Sequence, residues 1–127
     1  MATQFTFTLP DQPGSLASIA ESIASAGINI DGITGITASG QGIVYLVTNN
    51  FETTETALKD SGIQYSSQEV LMINLEDKPG QIAKLSRALA NEGINLNTFY
   101  ITMSGHQVLG SDNMDRTKEI ANELGMA

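Results

Sequence analysis

In TQFTFTL, Phe5, Phe7 and Leu9 alternate with Gln4, Thr6 and Thr8. A period of two is what a strand with one buried face produces. After Pro10 the period changes. Leu16, Ile19, Ala20 and Ile23 recur at i, i+3, i+4 and i+7, which predicts an amphipathic helix with that stripe facing a core. Gly27 follows as a left-handed helix stop. INIDGIT restores β character, and Gly32 breaks its alternation, predicting a bulge or a close backbone approach. SGQG (39–42) reads as a hairpin turn into IVYLV. That run is apolar on both faces, so it belongs in the middle of a sheet or at an interface. NNFETTETALKDSG supplies cap residues, an acidic first turn and the terminal Gly62, and so predicts a second helix. IQY then forms a short fourth strand. The order is β-α-β-β-α-β.

The pattern starts again at once. EVLMINL is a strand, GQIAKLSRALANEG a helix, INLNTFYITM a strand, and SGHQVLG a hairpin into a shorter strand. DNMDRTKEIANELG is a helix with Thr117, Ile120, Ala121 and Leu124 on one face. Only Met126 and Ala127 follow Gly125, so the fourth strand is missing and EVLMINL is expected to border an open sheet edge. The recurrence is literal. LPDQPGSLASI begins at Leu9 and LEDKPGQIAKL at Leu75, an offset of 66 (77 minus 11 at the two aspartates) that holds without a gap over 9–30. Pro13 matches Pro79, Gly14 matches Gly80, and Gly27-Ile28-Asn29 matches Gly93-Ile94-Asn95. Such register marks an internal duplication. The expected domains are residues 1–66 and 67–127. The fold class is α+β: two ferredoxin-like βαββαβ units, antiparallel sheets with helices on one face, the second unit lacking its last strand. That architecture hosts many functions and selects none.

Composition narrows the choice. Fourteen acidic residues face six basic ones, a net charge of −8. The cations form no stripe, which argues against a nucleic-acid partner. Without cysteine there is no disulfide, thiolate nucleophile or thiolate metal site. No apolar run approaches the roughly 18–20 residues of a membrane span, and MATQFTFTLP lacks the charged end and apolar run of a signal peptide. A cytoplasmic location is the expectation. His106, the only histidine, sits beside Gly105 in a predicted turn without an acidic cluster to complete a metal site, and reads as a solvated turn residue. GITGITASGQG has neither the Lys-Ser/Thr ending nor the following helix of a phosphate loop. Catalysis is not expected, and no cofactor is implied.

The repeated turn is the chemical feature. Asp-x-Pro-Gly stands between a strand and the amino end of a helix, where the first N–H groups lack intrahelical partners and carry the positive end of the dipole. Proline suits a first helical turn, and glycine lets a backbone or ligand come close. A carboxylate would find donors there, while Asp11 and Asp77 could accept from an ammonium group. A receptor for a free α-amino acid is one reading. The other is that each aspartate caps its helix and Pro-Gly makes the turn.

The segments LPDQPGSLASIAESIASAGINI and LEDKPGQIAKLSRALANEGINLNTFYI resemble the ACT domain, a small regulatory module of amino-acid-metabolic enzymes. Its pattern is a strand, an acidic or amide residue two before Pro-Gly, an amphipathic helix, and Gly-Ile/Val-Asn-Ile/Val. The resemblance spans the chain twice, apart from the missing strand. It implies units that pair side by side and bind amino acids at the interfaces between them. The contacts it implies come from the loop before the first helix and the start of the second strand. Here those positions are Asp11, Gln12, Pro13, Gly14, Ser15 and Asn29, with Asp77, Lys78, Pro79, Gly80, Gln81 and Asn95. Family members that hold ligand through a side-chain amide often carry Asn where this chain has Asp11 and Asp77. Asn29 and Asn95 read equally as turn chemistry after a helix end. The function implied is non-catalytic regulation of a partner enzyme or regulator by an amino acid, in a homodimer or larger assembly. The alternative is an assembly module without a small ligand, suggested by the missing strand and two-sided IVYLV.

Overall fold

The alternating phenylalanines become strand β1 (Ala2–Pro10) in a computed structural model that describes all of residues 1–127. The elements that follow are α1 (Ser15–Ser25), β2 (Ile30–Ala38), β3 (Gln41–Thr48), α2 (Phe51–Asp60) and β4 (Tyr65–Ile73). Then come α3 (Gln81–Ala90), β5 (Leu96–Ile101), β6 (Gln107–Ser111) and α4 (Met114–Glu123). The chain divides into two compact units, Thr3–Gln68 and Glu69–Ala127 with Met1–Ala2. Each is a ferredoxin-like α+β unit, and the second ends without a last strand of its own.

In the first unit the strand order is β2-β3-β1-β4, the opening residues of β4 supplying the fourth strand. IVYLV lies in the central β3, with β1 and β2 antiparallel to it on either side. Phe5, Phe7, Val44 and Leu46 pack with Ile19, Ile23, Ala57 and Leu58, so the helices cover one sheet face, as the period of two requires. Leu16 departs from its stripe. It stands in the first turn of α1 and is 51% exposed, outside the core.

The second unit repeats this with Leu71, Ile73, Leu109, Leu85, Leu89 and Ile120. Its strand order is β4-β6-β5. IQY and EVLMINL are not separate strands, because the polar run 66–69 stays extended and β4 is continuous. At the end of β4 the Asn74 N–H donates to Met126 C=O at 2.9 Å, and Met1–Ala2 belong to this unit.

Both second strands carry a bulge, between Ile30 and Gly32 and between Leu96 and Thr98. The second forms without glycine, so the fold and not Gly32 demands it. The second helices are capped alike. Asn50 Oδ1 accepts from Thr53 N–H at 3.0 Å, and Asn113 Oδ1 from Arg116 N–H at 3.1 Å. Behind each cap is a hydroxyl pair, Thr48–Thr54 at 2.6 Å and Ser111–Thr117 at 2.7 Å. These caps lie 63 residues apart (113 minus 50), so the second copy is three residues shorter after its first helix.

Candidate functional site

Both Asp-x-Pro-Gly loops end in a left-handed glycine, Gly14 at φ 89° and Gly80 at φ 92°. Each is the N-cap of its helix, and no side chain caps either one. The capping reading of Asp11 and Asp77 therefore does not hold. Both aspartates are exposed. A Cβ at either glycine would meet nothing within 4 Å. Glycine is required there by backbone conformation, and the space in front of each loop is open.

A recess adjoins each loop. The first, of about 270 Å³, is lined by Leu9, Asp11, Gln12, Ser15, Leu16, residues 35–37 and Ile43. The second, of about 330 Å³, is lined by Leu75, Glu76, Asp77, Lys78, Gln81, Ile82, Ile101, Gly105 and Gln107. Asp11 and Asp77, Gln12 and Lys78, Ser15 and Gln81, and Leu16 and Ile82 occupy matching places, all 66 apart. Leu16, Ile36, Ile82 and Ile101 are among the exposed large apolar residues. Each recess thus has apolar flanks beside polar groups, the usual make-up of a small-molecule site. Pro13 and Pro79 complete the turns without lining the recesses.

Asn29 and Asn95 are elsewhere. β1 and β2 are both antiparallel to β3 and so run parallel to each other. The end of β2, not its start, therefore lies beside the first loop. About 16 Å of helix, at 1.5 Å per residue over the 11 residues of α1, separates the loop from Asn29. Both asparagines fasten the start of the second strand to the entry of the second helix. Asn29 N–H donates to Asn49 Oδ1 at 3.2 Å and Asn95 N–H to Asp112 Oδ1 at 3.0 Å, with the return bonds closing each pair. The wall residues Ile36, Ile101 and Gln107 carried no motif, and only the strand pairing brings them to the loops.

A larger recess of about 630 Å³ lies between α1 and α2, lined by small hydroxyl side chains such as Ser18, Ser22, Thr53 and Thr56. Ala26 and Ala57 line it as well, and it includes none of Asp11, Gln12, Pro13 and Gly14. On the outer face of the second unit, Arg116 meets Glu92 at 2.6 and 2.7 Å, Glu119 at 2.9 Å and Glu123 at 3.0 Å. The guanidinium holds the Glu92 carboxyl below the usual range, and its own proton is held more firmly by the three carboxylates. A hydrogen bond to Glu55 pushes the Tyr65 phenol up to about 12 and lowers Glu55 in turn. Burial raises Tyr100. These five groups all stand outside both recesses. His106 is half-buried, its Nδ1 2.8 Å from Ser104 Oγ, rather than a freely solvated turn residue. No three His, Cys, Asp or Glu side chains converge as metal ligands, and no helix is long and apolar enough to cross a membrane.

None of the curated proteins matches this chain in sequence. Solved structures do match its fold. A protein from Bacteroides thetaiotaomicron superposes with a TM-score of 0.88 at 24% identity, over 98% of this chain and 89% of that one. The ligand-free regulatory subunit of aspartate kinase from Thermus thermophilus gives 0.70 at 20% identity, over 95% and 90%. Aspartate kinase from Synechocystis gives 0.64 at 19%, covering 95% of this chain but 24% of that longer one. Residues 53–126, more than half the chain, match a family described as an ACT domain pair. With the doubled βαββαβ plan and the paired Asp-x-Pro-Gly loops, this makes the chain a member of the ACT domain pair family.

Proposed function

We propose that this protein is a non-catalytic regulatory module that binds a free amino acid at its Asp-x-Pro-Gly recesses and modulates a partner enzyme or regulator of amino-acid metabolism. One observation carries the reading: each loop offers an uncapped helix amino terminus, an exposed aspartate and an open recess with apolar flanks. The N–H groups and dipole suit an α-carboxylate, the aspartate suits an α-ammonium, and the flanks suit a side chain. The ligand-contacting set under this reading is Asp11, Gln12, Gly14 and Ser15 with Asp77, Lys78, Gly80 and Gln81. Asn29 and Asn95 act through the strand they anchor. The aspartate kinase relatives agree with a regulatory role in amino-acid metabolism. A homodimer goes with this reading, with a second copy covering the apolar flanks.

A thermal-shift screen with the twenty common L-amino acids tests it. A ligand that binds only the folded chain raises the melting temperature by mass action. A rise with one or a few related amino acids is expected, and a flat panel would leave the module as an assembly element without a small ligand.

A further inference from the structure

GITGITASGQG (32–42) is no phosphate loop, yet it carries four glycines. Gly32 lies at the bulge of β2, and Gly40 is in the hairpin turn at φ 76°. Gly35 and Gly42 stand in the extended strands β2 and β3, and neither has a positive φ. Beyond its chain neighbours, a Cβ at Gly35 would meet only the Ile43 carbonyl oxygen, at 3.6 Å. One at Gly42 would meet only that of Leu9, also at 3.6 Å. Both are ordinary contacts. Neither conformation nor crowding calls for glycine at these places, although glycine weakens a strand relative to alanine.

Both residues line the first recess, and the strand register puts them on its floor. Gly35 is opposite Val44, itself opposite Phe7, and Gly42 is opposite both Leu9 and Thr37. Residues directly opposite one another share a face, and Phe7, Leu9 and Val44 pack on the face that the helices cover. The two absent side chains are therefore absent from the recess itself. In the second unit the counterpart of Gly35, 66 residues on, is Ile101, which lines the second recess. No lysine or arginine lines the first recess, and its apolar walls include Leu16 and Ile36.

We propose that Gly35 and Gly42 are specificity-determining residues of the first recess, where their bare backbone seats the apolar side chain of a bound amino acid. The inference rests on reading the recess as an amino-acid site. With the Asp-x-Pro-Gly loop taking the α-carboxylate and α-ammonium, the ligand's side chain falls on the floor, and a Cβ on either glycine would take up its space. The strand ladder fixes that floor before a ligand arrives, so none of its ordering is charged to binding. A carboxylate side chain would find no cation there.

The test is an NMR titration of the ¹⁵N-labelled full chain with each of the twenty common L-amino acids. The amides of Gly14, Gly35 and Gly42 report the first recess and that of Gly80 the second. The tightest ligand at the first three is expected to be valine, leucine, isoleucine, methionine or phenylalanine. Gly35→Ala and Gly42→Ala should each weaken its binding at least tenfold, while the urea midpoint stays the same or rises. The wild-type panel needs no variant to fold. A tightest ligand outside those five, shifts confined to Gly80, or unaltered binding in a folded variant overturns the inference and leaves the amino-acid reading standing. A midpoint that falls with the affinity makes the glycines structural and overturns it too. If none of the twenty moves any of these amides, the amino-acid reading itself fails, and the inference with it.

Discussion

Gly14 and Gly80 separate conformation from contact. Each has a positive φ and open space where a Cβ would go, so alanine would be strained without being crowded. Gly14→Ala and Gly80→Ala should each cost about 1–2 kcal/mol, the left-handed penalty of an L-residue, in urea denaturation. Asp11→Ala and Asp77→Ala should behave in the opposite way. Neither aspartate caps its helix, so stability should change by no more than about 0.5 kcal/mol. Removing the partner of a bound ammonium should weaken amino-acid binding at least tenfold, since a charged hydrogen bond contributes about 1.5–3 kcal/mol. Denaturation and calorimetric titration of the same variants decide. Lost stability with unchanged affinity would make the aspartates structural after all. The loop residues were legible in the sequence because they repeat. Ile36, Ile101 and Gln107 were not, because they differ between copies and meet the loops only through strand pairing. Leu16 misled because periodicity assigns a face to a helix but does not say where the core stops beneath its first turn.

Among the elements, the second helices carry the best-defined local interactions. Asn50→Ala and Asn113→Ala each remove an amide cap and should cost about 1 kcal/mol apiece in chemical denaturation, nearly additively because the sites lie in different units. Arg116 ties α4 to Glu92 just beyond α3. The Glu92 carboxyl titrates below its unfolded value, so its contribution is present above that value and lost as pH falls through the folded one. Arg116→Gln should therefore lower the melting temperature at pH 7 in low salt, and the gap to wild type should narrow toward pH 3. A gap independent of pH would assign the effect to packing of the arginine stem. All four helices and both hairpins were legible from periodicity and turn residues. The continuity of β4 was not, since SSQE (66–69) has no apolar alternation and yet stays extended within the strand. The bulge was foreseen for a reason that the second copy shows to be incidental: it forms at Asn97 without a glycine beside it.

At the scale of the whole molecule the question is assembly. The missing strand points to a partner for EVLMINL, and exposed apolar side chains elsewhere in the two units supply a second reason to expect one. The terminal strands of the order are β2 and β5, and each presents a large apolar residue near its end, Ile36 at 57% and Ile101 at 63% exposure. Leu16 stands near the first and Ile82 near the second, both lining the same recesses, and Met103 is more exposed still. Grouped exposed apolar side chains mark association surfaces more often than free ones. A second copy on a two-fold axis is the simplest cover, because one patch then answers itself. Light scattering at micromolar concentration should give twice the 13.5 kDa of one chain. Ile36→Lys and Ile101→Lys should shift the population toward the monomer while each unit keeps its circular dichroism. If the recesses are completed by the partner, the same variants should also weaken amino-acid binding. A wild-type chain that stays monomeric in the presence and absence of all twenty amino acids would show that these apolar flanks serve a ligand or another protein instead.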